Sequence, residues 1–311
     1  MGIAHFDEAR AREYELGHVR GRWTGLGEAA GCVGVGLRRI ELPAGGWSTP
    51  AHEHGLEEEI FYVLAGKGLS WHKGATAEIG AGDCIVYLPH SGAHTVHALE
   101  PLDLLAFGLR RWDEALGFPR LGMSMVGRRM VRSESGVIDG APAQHVLESR
   151  VGPPELPPEP GPRPPTIVNL ENVEAREVTR PRISRVRRNL GLAAGSVTIG
   201  LQHVQVTPGK ESAPPHCHSL EEEIFVMLGG DGTLVLGEEE TSVRPGHVVS
   251  RPAATRVAHV FRAGDRGLEF LAFGTREPAD VCYYPRSNKI NFGGVGVIAR
   301  LERLDYWDGE D

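Results

Sequence analysis

A fifteen-residue segment occurs twice in this chain, and its recurrence constrains the fold more than any other feature. The copies occupy residues 52–66 and 216–230, so the offset between them is 164 residues. Each has two histidines separated by one residue, then Leu-Glu-Glu-Glu-Ile-Phe, and each ends on glycine. The same offset relates residues 26–82 to residues 190–246. A constant spacing over that length indicates duplication of a whole domain.

The two copies drift apart by one or two residues after Gly82 and converge again on Leu-Ala-Phe-Gly at 105–108 and 271–274. Between the copies, residues 151–165 are rich in proline, which excludes a helix or an inner strand and predicts an extended spacer. We therefore predict an N-terminal domain at 1–150, a linker at 151–165 and a C-terminal domain with an extension at 166–311.

Each copy consists of short runs of Val, Ile, Leu and Phe separated by Gly, Pro and Asp. With 41 glycines and 22 prolines in 311 residues, this pattern predicts an all-β protein of two small antiparallel barrels. Residues 1–25 have little periodicity, and we interpret them as an arm that packs on a barrel or on a second subunit.

Composition limits the classes of function. The net charge of −8 argues against a general affinity for nucleic acid. No apolar run reaches the length of a membrane span, and the N-terminus lacks a signal-peptide pattern. The four cysteines are far apart in sequence, as expected of free thiols in a reducing compartment. These features predict a cytoplasmic protein with no membrane partner.

The repeated segment has the residue types of a metal site. On a strand, residues two apart face the same side, so His52 and His54 project together, and Glu59 returns to them on the next pass of the chain. Two imidazoles and a carboxylate form a site for a divalent metal. His216, His218 and Glu223 repeat the arrangement.

At these residues the sequence resembles the cupins. The first cupin motif, Gly-x5-His-x-His-x3–4-Glu-x6-Gly, is met by Gly46, His52, His54, Glu59 and Gly66. The second copy meets it from His216 to Gly230, but Lys210 stands where Gly46 stands in the first. The second motif is looser, and its matches are Gly82, Pro89, Gly92 and His94 in the first copy and Gly246, Pro252 and His259 in the second.

The resemblance implies two tandem jelly-roll barrels, also called double-stranded β-helices, joined by the proline-rich linker. It also implies a manganese, iron, nickel, copper or zinc ion in each barrel, held by three histidines and one glutamate. The implied ligands are His52, His54, Glu59 and His94 in the first barrel, and His216, His218, Glu223 and His259 in the second.

Some of these assignments have rivals. His97 competes with His94, and strand parity allows only one of them to face the metal. Glu59 and Glu223 are preferred over Glu58 and Glu222, because only they keep the motif spacing to the closing glycine. Glu57 and Glu221 either orient the histidines or belong to a solvated turn.

The resemblance admits decarboxylases, oxidases, ring-cleaving dioxygenases, lyases, isomerases and binding proteins. Our hypothesis is a metalloenzyme of the dioxygenase or oxidoreductase kind acting on a small oxygenated or carboxylated molecule. The alternatives are a non-catalytic binding or sensing bicupin and a metal-dependent decarboxylase, lyase or isomerase. The arms before Leu26 and around Arg180 hint at a homodimer. If one barrel alone is catalytic, the first is favoured because it keeps the motifs better.

The sequence does not identify catalytic residues beyond the ligands. Arg38 or Arg39 faces the first cavity, with Gln202 or His203 as the counterpart in the second, and parity cannot choose between neighbours. Tyr283, Tyr284 and Arg286 either reach over a barrel mouth or pack as an edge strand. The basic residues of 180–188 are interpreted as a solvated strand face or subunit contact, with contact to an anion or to nucleic acid as the alternative.

Overall fold

The computed structural model describes residues 2–127, 129–132, 134, 136–138 and 140–310. In the first half the strands are β1 (Gly2–His5), β2 (Ala11–Leu16), β3 (Val19–Thr24), β4 (Val35–Leu42), β5 (Glu53–His54), β6 (Glu59–Ala65), β7 (Lys67–His72), β8 (Ala75–Gly80), β9 (Asp83–Tyr87), β10 (His94–Ala98), β11 (Leu102–Leu109), β12 (Ala115–Phe118), β13 (Met123–Val126), β14 (Arg129–Arg132) and β15 (Gly136–Val137).

The second half continues the series with longer strands. They are β16 (Ile167–Asn169), β17 (Ala175–Thr179), β18 (Ser184–Asn189), β19 (Ile199–Val206), β20 (Cys217–His218), β21 (Glu223–Leu236), β22 (Glu239–Val243), β23 (His247–Arg251), β24 (His259–Thr275), β25 (Val281–Tyr284), β26 (Lys289–Phe292) and β27 (Val297–Arg300). The α-helices are α1 (Leu26–Ala29), α2 (Gln144–Val151) and α3 (Leu190–Ala193), and single 3-10 turns occur at Pro119–Leu121, Leu170–Asn172, Pro285–Ser287 and Gly293–Val295.

The strands form two barrels of the same design. In the first, a sheet of order β16-β9-β6-β11-β4-β3-β2 faces the sheet β10-β7-β8. In the second, the long strands β21 and β24 run through both faces, and the order is β1-β23-β21-β24-β19-β18-β17 with β22 beside β21. The predicted all-β class and the two barrels are confirmed.

The barrels exchange their first strands. Ile3 of β1 pairs with Val249 of β23 in the second barrel, and Ile167 of β16 pairs with Ile85 of β9 in the first. Ile3 and Ile167 are themselves 164 residues apart, so the exchange is reciprocal. The first strand of the arm predicted at residues 1–25 therefore completes the sheet of the other barrel, whereas β2 and β3 extend the sheet of the first. The domain limits of 1–150 and 166–311 stay a prediction, and strand pairing crosses them in both directions.

Alternation along the central strands divides the apolar side chains between two environments. On β6, Phe61 and Val63 point into the core of the first barrel, whereas Ile60 and Tyr62 join a cluster that draws on both barrels. This shared cluster includes Phe107, whose ring stacks on that of Phe273 with centroids 5.0 Å apart. The barrels thus pack through an apolar interface as well as through exchanged strands.

The glycine that closes the repeated segment is required by the backbone. Gly66 has φ of +87°, and a Cβ there would collide with the carbonyl of Pro101. Gly230, with φ of +73°, meets the carbonyl of Gly267 in the same way. Left-handed φ and lack of room both exclude a side chain. The chain bends at this glycine in both barrels, and this shared requirement explains why the glycine recurs in the repeat.

Two small sheets bring the segments after the barrels back to the histidine strands. Strand β12 pairs with β5, so that Leu116 lies opposite His54, and β25 pairs with β20, so that Cys282 lies opposite His218. The four cysteines are free, as predicted. None of the helices among the described residues is long and apolar enough to cross a bilayer.

Candidate metal centres

Backbone pairing places the histidines of each barrel side by side. In the first barrel, the amide of His94 donates to the carbonyl of His52 over 2.8 Å, and the reverse bond measures 3.2 Å. His216 and His259 repeat this reciprocal pair in the second barrel. Strand β10 begins at His94 and strand β24 begins at His259. The rings of these two histidines therefore project from the end of a strand into the barrel.

The four ligand candidates of the first barrel meet around one carboxylate oxygen. Oε2 of Glu59 lies 3.0 Å from Nε2 of His94, 3.8 Å from Nε2 of His54 and 3.9 Å from Nε2 of His52. One donor atom from each of the four residues lies within 4.8 Å of all the others. The side chains are buried or nearly so, and the cluster is able to hold a metal ion.

The second barrel brings its candidates together less tightly. Oε2 of Glu223 lies 3.2 Å from Nε2 of His259 and 3.8 Å from Nε2 of His218. His216, Glu223 and His259 satisfy the 4.8 Å criterion together, whereas His218 satisfies it with His216 and Cys282. This cluster too is able to hold a metal ion, with three of the four predicted ligands in one group.

The rivals of the predicted ligands point elsewhere. The ring of His97 packs against that of Trp47, with centroids 4.6 Å apart, whereas His94 faces Glu59. Parity separates these two histidines as expected for one strand. The placement of His94 and Glu59 agrees with the assignment, and their role as metal ligands stays a prediction.

The three consecutive glutamates have three different environments. The first, Glu57, accepts a hydrogen bond from the amide of Arg111 over 2.8 Å, and Glu221 accepts one from the amide of Glu277 over 3.1 Å. These residues secure the segment that follows the last barrel strand. The third, Glu59 or Glu223, faces the histidines.

The middle glutamate reaches across to the other barrel. Glu58 accepts hydrogen bonds from Ser196 Oγ at 2.5 Å, from the amide of Val197 at 3.0 Å and from the amide of Thr198 at 2.9 Å. Its repeat equivalent, Glu222, accepts hydrogen bonds from the amides of Val33 and Gly34 at 2.8 and 2.6 Å. We call these two residues the crossed glutamates. Sequence reasoning treated them only as rival ligands.

The other ring nitrogens of the first histidines are fixed by backbone carbonyls. Nδ1 of His52 donates to the carbonyl of Pro50 over 2.9 Å, and Nδ1 of His216 donates to that of Pro214 over 2.8 Å. A carbonyl can only accept, so Nδ1 carries the proton and Nε2 presents its lone pair to the cluster.

Carboxylates from the segments after the barrels orient the second histidines. Nδ1 of His54 lies 3.4 Å from Oε1 of Glu114, and Nδ1 of His218 lies 2.7 Å from Oδ2 of Asp280. Sequence reasoning missed both carboxylates. The sequence does contain a pattern that relates them: Glu114 and Asp280 are 166 residues apart, and the same offset relates Phe118-Pro119-Arg120 to Tyr284-Pro285-Arg286.

Replacing Asp280 by asparagine should weaken metal binding in the second barrel by about 10–100-fold. Oδ1 of Asp280 accepts from the amides of Leu220 and Glu221 while Oδ2 accepts from His218. The side-chain amide of asparagine has one acceptor oxygen in place of two. Its NH2 group would therefore face either His218 or the backbone amides of Leu220 and Glu221, which are donors themselves. Competition with a chromophoric chelator measures the affinity of each site. Glu114→Gln should weaken the first site instead, and equal losses at both sites would contradict this account.

The histidines of each cluster differ in pKa, because their neighbours carry different charges. Burial lowers the pKa of His52 to about 3 and also lowers that of His94. Burial opposes protonation of His54 as well, but the carboxylates of Glu114 and Glu59 raise its pKa to about 10. In the second barrel, burial is likewise outweighed at His218, where Cys282, Glu223 and Asp280 raise the pKa to about 10. One histidine per cluster therefore holds a proton near neutral pH without a metal.

The two clusters differ in one neighbour. Tyr87 stacks on the ring of His94 with centroids 3.8 Å apart and donates or accepts a hydrogen bond with Ser70. The repeat equivalent of Tyr87 is Arg251, which is also buried. Burial lowers the pKa of His259, and the charge of Arg251 lowers it further. The second cluster therefore lies beside a permanent positive charge at the position that the neutral Tyr87 occupies in the first.

Each cluster opens into a cavity. The first, of about 320 Å³, is lined by Arg38 and Glu57 as well as by His52, His54 and Glu59. The second, of about 360 Å³, is lined by Arg185, Arg187 and Tyr284. The structure thus resolves the question of parity, because Arg38 lines the cavity while Arg39 pairs with Asp103 over 2.7 Å.

The counterparts in the second barrel follow the same parity. Gln202 lines the second cavity, whereas His203 contacts Glu269 over 2.6 Å. The residues near the C-terminus divide in a similar way. The ring of Tyr284 lies 5.9 Å from that of His216, and Arg286 pairs with Glu211 over 2.6 Å away from the cluster.

The donor set fits a divalent metal ion. Nε2 of His54 and Oε2 of Glu223 are buried and have no hydrogen-bond partner in the described part of the chain. Buried polar atoms of this kind are rare unless a further group satisfies them. Three imidazoles and a carboxylate suit manganese, iron, nickel, copper and zinc.

Comparison with known proteins agrees with this architecture. The cupin domain family model matches residues 38–108 and 202–274, once in each barrel. Auxin-binding protein 1 of Arabidopsis thaliana is 30% identical over 158 residues, which cover 46% of this chain and 73% of that protein.

Solved structures of two-barrel proteins share the fold along most of the chain. The oxalate decarboxylase of Lactobacillus farciminis, in a formate complex, has 15% identity and a TM-score of 0.57, covering 89% of this chain and 86% of that one. The oxalate decarboxylase of Bacillus subtilis, studied for its Mn(II) centres, has 17% identity and a TM-score of 0.56, covering 90% and 79%. The chain therefore belongs to the cupin superfamily and carries two cupin domains.

Proposed function

We propose that this bicupin is a metal-dependent enzyme that acts on a small oxygenated or carboxylated molecule. The observation that carries the proposal is the first cluster, where four donor side chains converge and three of them, His52, His54 and Glu59, line a cavity of about 320 Å³. A structural metal site is closed by its ligands, whereas a catalytic one keeps a position open to substrate. The cavity provides that opening.

The residues that would hold the metal are His52, His54, Glu59 and His94 in the first barrel and His216, His218, Glu223 and His259 in the second. A divalent ion supplies Lewis acidity, lowers the pKa of water and, if redox-active, exchanges electrons. The ion in each barrel is assigned only as divalent, from the set manganese, iron, nickel, copper and zinc. The first barrel is the favoured site of turnover.

Two side chains of the first cavity are suited to act on a bound molecule. Arg38 places its guanidinium 5.2 Å from the ring centre of Trp23, which keeps the group at the cavity wall, where it would bind a carboxylate. Burial raises the pKa of Glu57 to about 7. A carboxyl group with that pKa can give and take a proton near neutral pH, so we assign Glu57 as the candidate general acid or base.

A narrower form of the proposal is an oxidoreductase of the dioxygenase kind. Decarboxylation, elimination and isomerisation remain alternatives, since the same donor set serves them. The two oxalate decarboxylases share only the fold at their level of identity and do not transfer their substrate.

A second candidate is a protein that binds or senses a small molecule without turning it over. The relative with 30% identity is an auxin-binding protein, and it favours this candidate. In that case the metal and the arginine would orient a ligand, and Glu57 would have no role in proton transfer.

Metal analysis by mass spectrometry, on protein purified without chelators or a nickel column, tests the proposal. We expect two metal ions per wild-type chain and one in each of the variants His52→Ala and His216→Ala. His97→Ala is the matched control, because this histidine packs on Trp47, and it should keep both ions. Metal-free wild type, or histidine variants that keep both ions, would contradict the assignment.

Turnover separates the two candidates. Oxygen uptake and product formation are measured on a panel of carboxylic acids, catechols and diketones. A redox-active metal with oxygen uptake supports the dioxygenase form, and turnover without oxygen uptake supports the decarboxylase, lyase or isomerase form. Metal-loaded protein that binds members of the panel and converts none supports the binding candidate.

A further inference from the structure

Two arginines line the cavity of the second barrel, and neither has a carboxylate partner in the part of the chain that the structure describes. Arg185 and Arg187 are alternate residues of β18, so they project to the same side of the sheet. Both line the cavity that contains His216 and Glu223. Both are half-buried, and Nη1 of Arg185 donates to the carbonyl of Ser212 over 2.6 Å.

The positive charges of Arg185 and Arg187 are not neutralised by a nearby carboxylate in the described part of the chain. Neither arginine lies within 4 Å of a carboxylate oxygen among the described residues, although several other arginines of the chain do. Burial lowers the pKa of both groups, and the charge of Arg187 lowers that of Arg185 further. Two like charges in a partly desolvated site are unfavourable unless an anion joins them.

Three of the four acidic residues that line the same cavity lie against other groups than the arginines. Glu223 faces His259 over 3.2 Å, and Asp280 accepts from His218 and two backbone amides. Glu221 accepts the amide of Glu277. The fourth, Glu277, forms no ion pair with Arg185 or Arg187 in the described part of the chain, so the cavity wall formed by β18 keeps its positive charge available to a ligand.

The first cavity is lined by Arg38 of β4 and by Arg110, which follows β11, so neither of its arginines comes from the strand equivalent to β18. The repeat equivalents of Arg185 and Arg187 are Gly21 and Trp23, and Arg38 is replaced by Gln202 in the second barrel. Both cavities thus keep a guanidinium at the wall, on β4 in one and on β18 in the other. Aligning the two repeats does not reveal this correspondence, because the arginines of the two cavities occupy different positions in the repeat.

We propose that Arg185 and Arg187 form an anion subsite in the second cavity that binds a carboxylate group of a small ligand. The subsite rests on the proposed function and refines it, since it names carboxylate-bearing molecules as the class the second barrel takes. Two guanidinium groups on one wall can each donate to a carboxylate oxygen, which favours a carboxylate over a neutral isostere.

Binding of malonate to the full chain, measured by isothermal titration calorimetry, tests the subsite. Every protein in the series carries Arg38→Gln, which removes one of the two arginines that line the first cavity; the other, Arg110, donates to the carbonyl of Cys32 over 3.1 Å. In that background, Arg185→Gln and Arg187→Gln together should raise the Kd for malonate at least about tenfold, which is the loss of one charge-assisted contact or more. Malonamide, the neutral isostere, should bind weakly and be insensitive to both changes.

The controls address folding and position. Arg182→Gln removes an exposed arginine of the same basic stretch and should leave the Kd unchanged. Arg185→Lys with Arg187→Lys keeps both charges and should recover part of the affinity. Equal Kd values for the double glutamine variant and Arg182→Gln would overturn the subsite, as would phosphate binding more tightly than malonate.

Titration of manganese-loaded and chelator-treated protein separates this inference from the proposed function. Arginine-dependent malonate binding in a protein that takes up no metal would leave the subsite standing and remove the proposed function. Normal metal uptake with malonate binding that ignores the arginines would leave the proposed function standing and remove the subsite.

Discussion

Replacing Glu58 by alanine should lower the free energy of unfolding of the chain by about 2–5 kcal/mol, because two amides and a hydroxyl lose their acceptor at a buried position. Glu58 is 2% exposed, and its three hydrogen bonds all lead to the other barrel. The loss should appear as a shift of the urea unfolding midpoint. Glu222→Ala should have a similar effect through Val33 and Gly34.

The matched control for the crossed glutamates is Glu100→Ala, because Glu100 is an exposed surface residue. That change should stay within about 0.5 kcal/mol of the wild type. Metal content provides a second control, since Glu58 does not face the histidines and its loss should leave both centres able to bind. A midpoint for Glu58→Ala that matches the midpoint for Glu100→Ala would show that the contact between barrels does not depend on this residue.

Raising the pH from 7 to 9 should tighten metal binding at each centre about 100-fold, or tenfold per pH unit, because one proton is displaced per metal bound. The protons are those of His54 and His218, whose pKa values are about 10 in the metal-free protein. A histidine must be neutral to act as a ligand. Below pH 10 the proton competes with the metal, so affinity rises with pH and levels off once the pKa is passed.

Calorimetry in two buffers of different ionisation enthalpy counts the protons released as manganese binds. We expect about one proton per centre at pH 7. Glu114→Gln removes one of the carboxylates that raise the pKa of His54, so the affinity of the first centre should level off at a lower pH than that of the second. Affinity that is flat from pH 7 to 9 would contradict the assigned charge of these histidines.

The sequence predicted the barrels and the residues that converge in them, because both follow from local rules. Strand parity separates His94 from His97, and spacing to the closing glycine separates Glu59 from Glu58. The duplication added weight to each assignment, since a position that recurs with the same neighbours is under the same constraint in both barrels.

Features that depend on how the barrels pack were beyond those rules. The run from Ile60 to Leu64 shows no polar alternation, because one face of β6 fills its own barrel and the other meets the second barrel. The recurrence of Glu58 at Glu222 was visible, but its role requires knowledge of which loop lies opposite. Arg187 could not be matched with Arg38, since the two lie on different strands of their barrels.

The reciprocal exchange of β1 and β16 has a consequence for the ancestry of the chain. One repeat on its own would lack a strand that only a second copy can supply, and the crossed glutamates would also need that second copy. A single-repeat ancestor is therefore expected to have been an obligate twofold dimer, which gene fusion turned into one chain. The surface that once held two subunits together is now internal, so any homodimer of the present protein has to use a different face.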